Sequence, residues 1–137
     1  MIVKVAEAIM NQYRQDTTLS NSLTGGLYFR QVPDDATAPY ATFMCIGSVS
    51  EDFLGATATE NRMETTSFQF TVFSDSYDGG EKILSVLNDL KNCFDFCELT
   101  IDGYYNVVMR REATGPIMFA EEMWQGNIDY EIKYVKE

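Results

Sequence analysis

The stretch SFQFTVFSDSYDGGEKILSVLNDLKNCF, residues 67–94, changes its hydrophobic period in the middle. Phe68, Phe70 and Val72 alternate with Gln69, Thr71 and Phe73, the pattern of a strand. From Ile83 onward, Ile83, Val86, Leu87, Leu90 and Phe94 recur at steps of three and four, the stripe of an amphipathic helix. Two periods joined by one short turn require a sheet and a helix that share a core, which restricts the fold to a layered mixture of both.

Strand, glycine turn and helix is also the layout of phosphate-binding loops, but SDSYDGGEK has neither of their spacings. A P-loop needs G-x-x-x-x-G-K-[ST] and a dinucleotide site needs G-x-G-x-x-G. Asp75 and Asp78 would repel a phosphate, and Asp75, Asp78 and Glu81 miss the register of a calcium loop. A helix cap explains every residue: Ser76 or Asp78 can accept from free amides of the first turn, and Asp78 and Glu81 have capping-box spacing.

The same reading extends to the rest of the chain. Ile2, Val5, Ala6, Ile9 and Tyr13 predict a helix to about Asp16. TTLSNSLTGG ends it with turn formers. LYFRQV (27–32) and YATFMCIGSV (40–49) read as strands, with Tyr40, Thr42, Met44 and Ile46 on one face of the second. FCELTIDGYYNVVMRRE reads as a hairpin about Asp102–Gly103, a favoured type I′ pair. In NIDYEIKYVK, Ile128, Tyr130, Ile132 and Tyr134 alternate with Asp129, Glu131 and Lys133. Two segments, 50–63 and 114–126, show no period and read as irregular loops. The expectation is a single α+β domain over 1–137: a mostly antiparallel sheet of about five or six strands, with two helices packed on one face.

Composition removes several functional classes. The chain has no histidine, which excludes Ser–His–Asp and Cys–His systems and histidine metal sites. Its 10 basic and 21 acidic residues give a formal charge of −11, whereas phosphate-backbone binding needs clustered cations. Arg110–Arg111 is the only adjacent basic pair. No apolar run approaches the roughly 20 residues of a membrane span, and the N-terminus lacks a signal-peptide layout, so a protein working inside a cell is expected. Cys45, Cys93 and Cys97 read as reduced packing residues, because nothing completes a zinc set. The carboxylate pairs Asp34–Asp35, Glu51–Asp52 and Glu121–Glu122 fall in loops, where solvated acid is ordinary. No catalytic, cofactor-binding or metal-ligating residue is assigned.

Large apolar residues in the two irregular segments carry the strongest functional signal. Phe53 and Leu54 lie in the first; Ile117, Met118, Phe119, Met123 and Trp124 lie in the second. Loops cross the surface, and apolar groups there mark contacts or lids. These seven are the candidate subunit or partner interface.

In order and spacing, TLSNSLTGGLYFRQVPDDATAPYATF, SFQFTVFSDSYDGGEKILSVLNDLKNCF and the tyrosine strand IDYEIKY resemble the tail terminator (tail completion) proteins of long-tailed bacteriophages. The resemblance spans nearly the whole chain and departs from the pattern at Gly79–Gly80, where helix formers are more usual. It implies a non-enzymatic virion protein of a phage or prophage tail, assembled in the bacterial host cytoplasm, with no cofactor. It implies a homo-hexameric ring, with the free protein either monomeric or already hexameric. The ring would cap the tail tube, meet the tube protein and the head–tail connector, and let DNA pass without specific binding. The competing expectation is an intracellular small-ligand binding protein or enzyme of α+β fold, with a pocket between sheet and helices.

Overall fold

The computed structural model describes residues 2–52 and 62–136. In chain order it forms helix α1 (Ile2–Gln15), helix α2 (Thr17–Ser22), strands β1 (Leu27–Phe29), β2 (Tyr40–Asp52) and β3 (Arg62–Ser74), and helix α3 (Glu81–Phe94). Strands β4 (Tyr104–Thr114), β5 (Met118–Ala120) and β6 (Met123–Lys136) follow. The sheet runs β1-β2-β3-β6-β4, with β5 also on β6. Its β1–β2 pair is parallel and its other four pairs are antiparallel, so the six-stranded sheet is mixed.

The period switch marks the centre of the molecule. Phe68, Phe70 and Val72 are fully buried on one face of β3, and Ile83, Val86, Leu87, Leu90 and Phe94 of α3 are buried against it. The rings of Phe70 and Phe94 lie 5.0 Å apart, and Tyr130 meets Phe70 edge-on at 5.6 Å. On β6 the inward positions are Ile128, Tyr130, Ile132 and Tyr134, the set that the alternation selects. Gly126 precedes them, and a Cβ there would come within 2.7 Å of a Leu87 methyl, so α3 rests closely on β6. Tyr130 donates to Asp95 at 2.6 Å, at the end of α3. The Tyr134 hydroxyl donates to Glu64 at 2.7 Å and lies 2.9 Å from the Thr66 hydroxyl.

Five expectations are corrected. TTLSNS is a third helix rather than a link: the Asp16 carboxylate accepts from the Leu19 amide at 2.9 Å, and Leu19 is fully buried. A side-chain cap and one core anchor outweigh the low helix propensity of Ser, Thr and Asn. LYFRQV forms a strand only to Phe29, since Arg30 turns into the left-handed region at φ 68°. The segment FCELTI forms no strand. It touches β4 through one bridge, Glu98 to Val108, with bonds from the Leu99 amide to the Val107 carbonyl and from the Met109 amide to the Cys97 carbonyl. Its turn takes positive φ only at Gly103 (86°), with the Tyr104 amide bonded to the Ile101 carbonyl, a type II rather than I′ arrangement.

The remaining two corrections concern the irregular segments. Residues 50–52 and 62–63 continue β2 and β3, paired as far as Asp52 with Arg62. Neighbouring strands impose extension on residues whose own preference for it is weak. Segment 114–126 is mostly sheet as well. β4 reaches Thr114, β5 pairs with the start of β6, and Glu121–Glu122 forms the two-residue turn at φ 54° and 63°. Two left-handed glutamates replace the Asn-Gly that normally announces such a hairpin.

The turn before α3 is a cap, though not the expected box. The Asp78 carboxylate accepts from the Gly80 amide at 3.2 Å and from the Lys82 amide at 2.9 Å. Gly79 and Gly80 take φ of 74° and 90°. The chain therefore enters the helix through two left-handed residues, which glycine adopts without steric cost. That geometry accounts for the two glycines where helix formers are more usual.

Candidate interaction surface

The turn of the β5–β6 hairpin gathers several of the candidate residues. Strand pairing sets Phe119 opposite Trp124 with ring centroids 5.1 Å apart. Tyr77, from the turn before α3, closes on Phe119 at 6.1 Å. Trp124 lies over Gly80, whose missing Cβ leaves the indole 3.5 Å from that position. A left-handed glycine, a strand-end tryptophan and a hairpin phenylalanine thus make one aromatic cluster at a corner of the sheet.

The cluster is only partly sheltered. Tyr77 is 80% exposed, Met118 49% and Phe119 48%. Trp124 and Ile117 are partly buried and pack against the core, and Met123 is half-buried. The seven candidate residues therefore divide: Met118 and Phe119 face solvent, Ile117 and Trp124 pack against the core, Met123 is half-buried, and Phe53 and Leu54 lie outside the described residues. Tyr77 belongs to the cluster and was not singled out by sequence, because its turn is fully explained as a cap. Its signal is a lone aromatic among five small or acidic residues.

Acid surrounds the aromatics. Asp75, Glu121 and Glu122 line an open cleft of about 540 Å³ between the 36–40 loop, Tyr77 and the hairpin turn, and among the described residues no basic one lines it. Two more apolar groups lie on the helix-free face of the sheet, where Met44 is 43% and Ile46 48% exposed. The alternation along 40–46 is real, but its core side is Ala41 and Phe43; Tyr40 stacks instead on Phe73 at 5.1 Å.

The other sequence candidates are dispersed. Asp34 and Asp35 are exposed in a turn. Cys93 is buried, Cys45 and Cys97 are half-buried, and all three are free thiols. Burial pushes the Cys93 and Cys97 thiols up from the usual range, with neighbouring Asp16 and Glu98 adding to the effect, the reverse of the depression that activates a nucleophilic thiol. Among the described residues, no group of three or more acids and cysteines converges on a metal-sized space. No helix among them is long and apolar enough to cross a membrane. What the surface offers is an exposed apolar cluster beside an acid-lined cleft, a combination suited to contact with a partner.

No family model and no curated protein matches the sequence. Solved structures do. One chain, from the virion of a native gene transfer agent particle, superposes with a TM-score of 0.70 at 13% identity, covering 93% of this chain and 91% of that one. The two share a fold. A second solved structure matches with a TM-score of 0.58 at 14% identity, covering 96% and 95%. The shared fold extends over nearly the whole length of each chain.

Proposed function

We propose that this chain is a structural component of a phage or phage-like particle, and specifically its tail terminator. The observation that carries the virion role is the end-to-end likeness to a virion chain, at a TM-score of 0.70. The finer role rests on the resemblance in element order to tail terminators, joined to an exposed aromatic cluster that is suited to a protein partner.

In this reading six copies form a ring that sits on the finished tail tube. A tube grows because each added ring presents the surface that accepts the next. A cap that binds that surface without reproducing it stops growth and supplies the docking face for the head connector. DNA passes through without specific binding, consistent with a chain of net charge −11. The role is non-enzymatic, its place is the virion tail, and assembly occurs in the host cytoplasm.

Electron microscopy of a lysate from a phage or prophage lacking the protein tests this. Heads without tails, together with tubes of uncontrolled length, are expected, and restoring the protein should correct both defects at once. Tails of normal length joined to heads would refute the terminator role. Absence of the chain from purified particles would refute the virion role altogether.

A further inference from the structure

The aromatic cluster has a counterpart on the opposite edge of the same sheet. β1 is one edge strand. β5 lies at the other side: β3 occupies one flank of β6 through Trp124 and Gln125, so β5 must pair on the flank that β6 shares with β4. Beside β1, between it and α1, runs an open apolar groove of about 320 Å³ lined by Val3, Ala6, Met10 and Phe29, with Arg14 and Glu7 at its rim. Arg30 lies over the Phe29 ring at 4.7 Å. Its left-handed backbone (φ 68°) marks the end of β1, and the guanidinium is thereby next to a ring that lines the groove.

The two features differ in sign. Tyr77 and Phe119 are exposed at one edge, and Asp75, Glu121 and Glu122 line the cleft beside Tyr77. On the other edge an apolar slot is flanked by Arg14 and Arg30, against the single acid Glu7. In a chain with more than twice as many acids as bases, two arginines beside one apolar groove form a selective docking point for an acid-rimmed projection. Because the surfaces differ and lie on opposite edges, a contact between them is head-to-tail, the kind that propagates around a ring when its rotation closes.

We infer that the Tyr77–Phe119 projection of one copy seats in the α1–β1 groove of the next, with Glu121 and Glu122 facing Arg14 and Arg30. The contact is deduced from surfaces of this chain alone; only its closure into a ring rests on the terminator reading. The aromatic rings supply the buried area, and the charge pairs set orientation and exclude a projection-to-projection dimer, which would place like charges together.

The test uses two variants that each lose one surface. Phe119→Asp spoils the projection and Val3→Asp the groove; both positions are well exposed, so each variant should melt close to the parent. Isotope-labelled Phe119→Asp protein, titrated with unlabelled Val3→Asp protein, retains one intact contact per pair. Amide shifts confined to α1 and β1 of the labelled copy are expected, with sedimentation showing a species of two chains and none larger. NMR reads such shifts even for millimolar affinity, so weak association still registers. Replacing Glu122 by Arg in the unlabelled partner should weaken the pair by about tenfold, and Arg14→Glu in the labelled copy should restore it. No shifts, shifts centred elsewhere, or indifference to the charge exchange would overturn the contact. That result would leave the virion role standing, since the deletion lysate decides it independently.

Discussion

Gly25→Ala should be the most damaging glycine substitution in this chain, for reasons of space rather than backbone angle. Gly25 lies in the turn between α2 and β1, and its φ is not positive. A Cβ at this position would lie 1.7 Å from the Thr37 carbonyl oxygen and 2.9 Å from that of Pro39. Both are backbone atoms, so no rotamer change relieves the clash. Carbon–oxygen contacts sit at about 3.3 Å or more, which would force the two segments apart by about 1.6 Å. The Gly25 amide bonds to the Pro39 carbonyl at 2.9 Å and the Ala41 amide to the Gly26 carbonyl at 3.0 Å; both would break. At about 1 kcal/mol for each bond, and about 1–3 kcal/mol more as buried Leu27 loosens with β1, the loss is about 3–5 kcal/mol. For a domain of this size that lowers the melting temperature by about 10–20 °C. Circular dichroism melts of Gly25→Ala and Gly47→Ala make the comparison. Gly47 has nothing within 4 Å of its would-be Cβ and no positive φ, so its variant should stay within about 0.5 kcal/mol of the parent. A Gly25→Ala protein melting within about 2 °C of the parent would refute the close approach of the 23–26 turn to the 37–39 loop.

Two further predictions concern stability. Asp78→Ala removes the acceptor of the Gly80 and Lys82 amides and should cost about 1 kcal/mol in denaturant titration. In alkali, Tyr130 and Tyr134 should stay protonated until the fold opens. Burial raises both phenols, and the Asp95 and Glu64 carboxylates that accept from them add to the effect. The native state thus holds protons that the unfolded chain releases above about pH 10. Stability is full below that pH and falls as pH rises beyond it. Tyrosinate absorbance should accordingly show a late step coincident with unfolding, and smooth titration of all eight tyrosines before any loss of structure would contradict the burial of these two rings.

How much of the molecule sequence reveals depends on which physical signal each segment carries. β3, α3 and β6 are legible because each buries one face against the others, so the periods of Phe68–Val72, Ile83–Phe94 and Ile128–Tyr134 record that burial directly. α2 is hidden because its stability comes from one cap and one anchored leucine, too few positions to make a period. The far ends of β2 and β3 are hidden for a different reason. Their residues are extended by their neighbours in the ladder, and Ser50–Glu51–Asp52 and Arg62–Met63 show no alternation from which a strand can be read. The hairpin turn Glu121–Glu122 lacks the glycine or asparagine that left-handed geometry favours, so nothing announced it. Of the candidate surface, sequence identified Phe119 and Trp124 but not Tyr77, because proximity between a helix-capping turn and a distant hairpin is a property of the packed sheet.

The hydroxyl pair of Thr66 and Tyr134 has a consequence for how the two central strands find each other. Inward and outward alternation is blind to a displacement by two positions: aliphatic and aromatic side chains would still point inward, and the ladder would still be complete. Such shifted pairings are near-degenerate alternatives on hydrophobic grounds alone. The buried hydroxyls break the tie. In the observed alignment, with Tyr134 opposite Glu64, the phenol reaches both that carboxylate and the Thr66 oxygen. A slip by two that sets Tyr134 opposite Arg62 carries the phenol away from Thr66, itself fully enclosed, and a buried hydroxyl left without a partner costs about 1–3 kcal/mol. Two polar atoms thereby favour one pairing over such an alias, information that additional apolar burial along these strands does not supply.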